Sequence, residues 1–123
     1  MKVDGVQKTV LIVEDDYLIA MDLKFMLEEI GWEVLGPAPT VDKALLLLEE
    51  EPPVVALLDV SLGSELVTPV AEALKERAIP FAVASAYSKP EQYGGAILAE
   101  VPNVGKPASQ RRLLAVLAEL TQA

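Results

Sequence analysis

Short apolar runs alternate along this chain with longer stretches of helical period. Thr9-Val10-Leu11-Ile12-Val13 and Val54-Val55-Ala56-Leu57-Leu58 are continuous runs, as expected of strands buried on both faces of a sheet. Each ends abruptly in acid: Glu14-Asp15-Asp16 after the first, Asp59 after the second. Trp32 to Gly36 reads as a short strand followed by a stiff Pro37-Ala38-Pro39 connector, and Phe81 to Ser85 as a further strand. Val101 to Val104 is a brief fifth strand, and Pro102 suits it to an edge.

Between these runs the period changes to that of helices. One is predicted from Tyr17 to Ile30, with Asp16 as its cap, Gly31 as its stop and Ile19, Leu23, Met26 and Ile30 as its core stripe. Leu18, Met21 and Phe25 form a second stripe on the far side, which either packs on a neighbouring helix or receives a partner. Further helices are predicted from Val41 to Glu50 behind Thr40, from Thr68-Pro69 to Arg77, and from Ser109 to Leu120. Ser88 to Glu100 carries Gly94-Gly95 in its middle, so a helix there is short or mobile. Strands alternating with helices through right-handed crossovers give an α/β, doubly wound, parallel sheet. The expected form is flavodoxin-like, five-stranded in the order 2-1-3-4-5, with about five helices.

The chain has 123 residues, enough for one domain spanning 1–123 with a frayed leader at 1–8. No apolar run reaches the roughly 20 residues of a membrane span, and no signal-peptide profile opens the chain, so a cytoplasmic place is expected. Composition narrows the chemistry further. Without Cys or His there is no thiolate, zinc-histidine site or Ser-His-Asp triad. Acids outnumber Lys and Arg by 19 to 10, and a net charge of −9 argues against binding a nucleic-acid backbone.

In the expected topology the first and third strands are neighbours, so Glu14, Asp15, Asp16 and Asp59 converge at one sheet edge. Asp59 alone could simply cap its loop. Several carboxylates in one pocket, however, need a counter-charge, and a hard cation such as Mg²⁺ supplies it with oxygen ligands. The fourth strand adds Ser85 and the segment after the fifth adds Lys106. This set suits phosphoryl transfer onto Asp59, since an ionised carboxylate needs no base to become a nucleophile. Ser85 and Lys106 would then meet the moving phosphoryl oxygens. Lys89-Pro90 repeats the Lys106-Pro107 dipeptide but lies in a loop, so Lys106 is preferred.

Together Leu11 to Asp16, Leu57-Leu58-Asp59, Ser85 and Val104-Gly105-Lys106-Pro107 resemble the motifs of response-regulator receiver domains of two-component systems. The resemblance covers Thr9 to Leu120. It implies phosphorylation of Asp59 by a histidine kinase or histidine phosphotransfer protein. It also implies a Mg²⁺ held directly by Asp15, Asp59 and the Ser61 carbonyl, with Glu14 acting through water, and a cis Lys106-Pro107 bond. Asp16 is left as the helix cap.

Receivers usually carry Tyr or Phe three residues before the lysine, where this chain has Asn103. Pro80-Phe81-Ala82-Val83-Ala84-Ser85-Ala86-Tyr87 instead resembles the Pro-Phe-x-Phe-Ala-Thr-Gly-Tyr run of the FAT GUY receivers, which are associated with HWE-type kinases. Tyr87 then either reports phosphorylation or simply packs. The expected function is a single-domain phosphoacceptor without an output domain, signalling by protein contact or serving as a phosphate sink. On this reading it is not an enzyme beyond its own phosphorylation and slow dephosphorylation. A pseudo-receiver is opposed by the complete set of Glu14, Asp15, Asp59, Ser85 and Lys106. A haloacid-dehalogenase-like phosphatase would need an acid at position 61, which is Ser.

Overall fold

The computed structural model describes residues 2–3, 6–85, 96–99 and 101–121. Its central sheet is parallel: β1 (Thr9–Val13), β2 (Glu33–Ala38), β3 (Val55–Leu58) and β4 (Phe81–Val83), in the order β2-β1-β3-β4. Alternation along the strands explains why the runs are apolar throughout. Leu11, Val13, Ala56, Leu58 and Val83 face one core, while Val10, Ile12, Val55, Leu57 and Ala82 face the other. Helices α2 (Val41–Glu50) and α3 (Thr68–Glu76) cover the first face. Helices α1 (Tyr17–Glu29) and α4 (Gln110–Thr121) cover the second.

Beyond β4, Asn103 makes a single parallel bridge to Val83, with Val83 N donating to Pro102 O and Val104 N to Val83 O. The expected fifth strand thus takes its place at the edge, as one bridge rather than a ladder. Pro102 has no N–H to donate, which limits the pairing to this point. A 3₁₀ turn at Ala96–Leu98 is the helical element described between β4 and this segment.

Helix ends follow the sequence closely. Asp16 accepts from the Leu18 and Ile19 N–H groups, and Thr40 from Lys43 N. Helix α3 starts one residue earlier than expected, at Thr68 itself, so Val67 holds the cap position without a side-chain bond. On α1 the fully buried positions are Ala20, Leu23 and Leu27. Ile19, Met26 and Ile30 flank them, so the predicted stripe is offset by about one residue.

Two further differences lie beside the sheet edge. Strand β2 continues to Ala38 through the expected connector, because Ala38 O accepts from Glu14 N. The extra length is absorbed by a register shift at Gly36-Pro37, which an edge strand tolerates. The loop after Asp59 forms a small antiparallel hairpin, Ser61–Leu62 with Glu65–Leu66. Glu65 reaches from it to accept the Val41 N–H at the start of α2. Among the described residues no helix is long and apolar enough to cross a membrane.

Candidate functional site

The site grows out of the β1–β3 ladder. Val13 pairs with Leu58, and Asp59, the residue that follows β3, donates its N–H to Val13 O at 2.8 Å. Glu14 and Asp59 therefore leave adjacent strands side by side, and both are buried. Glu14, Asp15 and Asp59 each offer a carboxylate oxygen, and these oxygens lie within 4.8 Å of one another. Asp16 turns away to cap α1, as expected.

Lys106 arrives from the turn after the fifth segment, next to a cis Lys106-Pro107 bond. Its ammonium lies 3.3 Å from Asp59 Oδ1 and 3.4 Å from Glu14 Oε1. One cation thus faces two of the three carboxylates. Burial pushes the Glu14 carboxyl up to about 7, and the neighbouring Asp59 charge adds to the rise. The Asp16 N–H on Glu14 Oε2 and the Lys106 charge work against it. Burial acts to lower the Lys106 ammonium, but Asp59 and Glu14 together outweigh it and hold Lys106 above the ordinary lysine value.

These residues fit a divalent cation. The donors are all oxygen, they converge from two strands, and among the described residues buried Glu14 Oε1 accepts no hydrogen bond, its polar neighbour being the Lys106 ammonium at 3.4 Å. The cluster could therefore hold a metal ion through Glu14, Asp15 and Asp59. Gly63, in the hairpin turn with φ +62°, lies over it: a Cβ there would sit 3.8 Å from Asp15 Oδ2. Ser61, the expected carbonyl donor, opens this same hairpin two residues after Asp59.

Ser85 is buried just past β4, on the strand next to β3. Its N–H donates to Asn103 Oδ1. Tyr87, the switch candidate, lies outside the described residues. Sequence reasoning missed what Asn103 does, treating it as an absent aromatic. Its amide is a short polar group next to a turn, a pattern that favours backbone hydrogen bonds, but the identity of the partners depends on the fold.

No family model matches the chain. It is 32% identical over 117 residues to the phyllosphere-induced regulator PhyR of Methylorubrum extorquens, covering 89% of this chain and 42% of PhyR. The chain spans about 42% of the length of such curated relatives. Among solved structures, the response regulator PhyR from Brucella abortus matches with TM-score 0.77 and 34% identity, over 94% of this chain and 48% of that one. SdrG from Sphingomonas melonis Fr1 matches with TM-score 0.81 and 38% identity, over 94% of this chain and 98% of SdrG. SdrG has also been solved in a BeF3-activated conformation, which matches with TM-score 0.79 and 35% identity over 96% of this chain and 99% of that one. On the strength of these matches, at 34% identity to a response regulator and 38% to SdrG over nearly its whole length, the chain belongs to the response-regulator receiver family.

Proposed function

We propose that the chain is a Mg²⁺-dependent phosphoacceptor, taking a phosphoryl group on Asp59 from a histidine kinase or a histidine phosphotransfer protein. The observation that carries this reading is the meeting of Glu14, Asp15 and Asp59 oxygens within 4.8 Å, faced by the Lys106 ammonium. An Asp59 oxygen attacks phosphorus as the P–N bond of phosphohistidine breaks. The bonding electrons leave with the imidazole nitrogen, and that nitrogen takes a proton from solvent. Bound Mg²⁺ would neutralise charge on the phosphoryl oxygens. Glu14 and Asp15 would hold it with Asp59, Lys106 would pair with the oxygens that gain charge, and Ser85 would offer them a hydroxyl.

The aspartyl phosphate then hydrolyses slowly, so the chain turns over only its own phosphoryl group. The BeF3-activated form of SdrG supports the reading, because a fluoroberyllate on a carboxylate resembles a phosphoryl group. Leu18 and Phe25, exposed along α1 together with Tyr17, are the proposed docking contacts for the phosphodonor, for which an HWE-type kinase is the candidate. The proposed output is contact with a downstream protein.

Intact-mass measurement after incubation with Mg²⁺ and acetyl phosphate tests this. The expected result is a gain of about 80 Da, one phosphoryl group, in the wild type and none in Asp59→Asn. An equal gain in Asp59→Asn, or none in the wild type, contradicts it.

A further inference from the structure

We propose that Asn103 is a positioning residue that holds the hydroxyl loop and the lysine turn at a fixed spacing. The proposal rests on the phosphoacceptor reading of Asp59 and adds a component to it. One oxygen, Asn103 Oδ1, accepts from Ser85 N at 3.1 Å and from Gly105 N at 2.8 Å. Those two amides belong to the two segments that deliver Ser85 and Lys106. Gly105 directly precedes Lys106, whose ammonium reaches both Asp59 and Glu14.

The need for such a link follows from the sheet. Glu14 and Asp59 are set by a ladder running the full length of β3. The fifth segment meets β4 at one bridge, and Pro102 offers it no further donor. The Asn103 side chain continues the connection where the strand pairing stops. The backbone of Asn103 is itself anchored, since Arg112 Nε on α4 donates to Asn103 O at 3.2 Å. An acceptor held this way cannot swing between two rotamers without releasing both amides. Position 103 therefore sets geometry rather than serving as a rotamer switch.

Two variants separate an acceptor at 103 from mere bulk. Asn103→Leu keeps the shape without the oxygen, and Asn103→Asp keeps the oxygen. At saturating Mg²⁺, Asn103→Leu is expected to slow phosphorylation by acetyl phosphate about tenfold, since misplacement on the ångström scale has effects of that size or larger. Its Mg²⁺ affinity should stay within about twofold of wild type, because the acids are set by β1 and β3. Asn103→Asp should restore most of the rate. Hydrogen exchange should show the Ser85 and Gly105 amides protected in the wild type and in Asn103→Asp, and unprotected in Asn103→Leu. A wild-type rate in Asn103→Leu, or equal slowing in both variants with both amides still protected, overturns the proposal. Should Asn103→Leu not fold, free exchange of the two amides in the wild type overturns it. A wild type that accepts no phosphoryl group refutes the phosphoacceptor reading, and the exchange measurement still decides whether Asn103 holds the two segments.

Discussion

Glu14 and Asp59 stand at the ends of strands that pair residue by residue from Val10–Val55 to Val13–Leu58. Ser85 and Lys106 leave a strand of three residues and a segment joined to it at one bridge. The acid half of the site is thus a product of the core: its backbone is fixed by the same ladder that buries Ile12, Leu57 and Leu58. The hydroxyl–lysine half is tied together by a side chain, through Asn103. The difference teaches that the two halves answer to different perturbations. Core packing holds the carboxylates close against their mutual repulsion, whereas local hydrogen bonds aim the groups that oppose it.

The largest effect separating the halves should come from truncating their apolar supports. Leu58→Ala is expected to cost about 4 kcal/mol, since Leu58 is wholly buried within the ladder. Val104→Ala, behind the lysine turn, should cost about 2 kcal/mol or less by the methyl groups removed. Chemical denaturation measures both, and equal losses would erase the distinction.

Next comes pH. The Glu14 carboxyl titrates at about 7 in the folded chain against 4.5 in its ordinary state. The folded form therefore binds more protons than the unfolded form between those values, and stability falls as pH rises through them. The loss amounts to no more than about 3 kcal/mol, the full linkage for such a shift. Glu14→Gln should flatten the profile over pH 4.5 to 7, as followed by melting temperature. A wild-type profile that rises across this interval would contradict the placement of Glu14.

The smallest effect is expected from Lys106→Met. Removing the ammonium leaves Glu14 and Asp59 facing each other, but Glu14 can answer by keeping its proton. The cost near pH 7 should be about 1 kcal/mol, below that of breaking a fully buried pair. Because Lys106 holds the Glu14 titration down, its loss should move the Glu14 transition to higher pH, which NMR titration of the carboxyl carbon detects. An unmoved transition would mean that Lys106 does not face Glu14 in solution.

The same contrast explains what the sequence disclosed. Apolar runs ending in acid revealed β1, β3 and the convergence of Glu14, Asp15 and Asp59, because a strand buried on both faces leaves few other readings. Asp16, Thr40 and Ser85 were legible for a similar reason: each borders an apolar pattern, the first two ahead of a helix and Ser85 after a strand. The hairpin after Asp59, the Glu65 bond to α2 and the bonds of Asn103 were not. Each joins a side chain or a strand to a partner that only the assembled fold brings near. The extension of β2 to Ala38 was hidden by two prolines, which an edge strand accepts and an interior one does not.

The most direct test of the site is a Mn²⁺ titration followed by electron paramagnetic resonance, with Mn²⁺ standing in for Mg²⁺. The wild-type chain should bind one ion, and both Asp15→Asn and Asp59→Asn should weaken binding strongly, although the two residues follow different strands. Unchanged binding in either variant would mean that the two carboxylates do not share an ion.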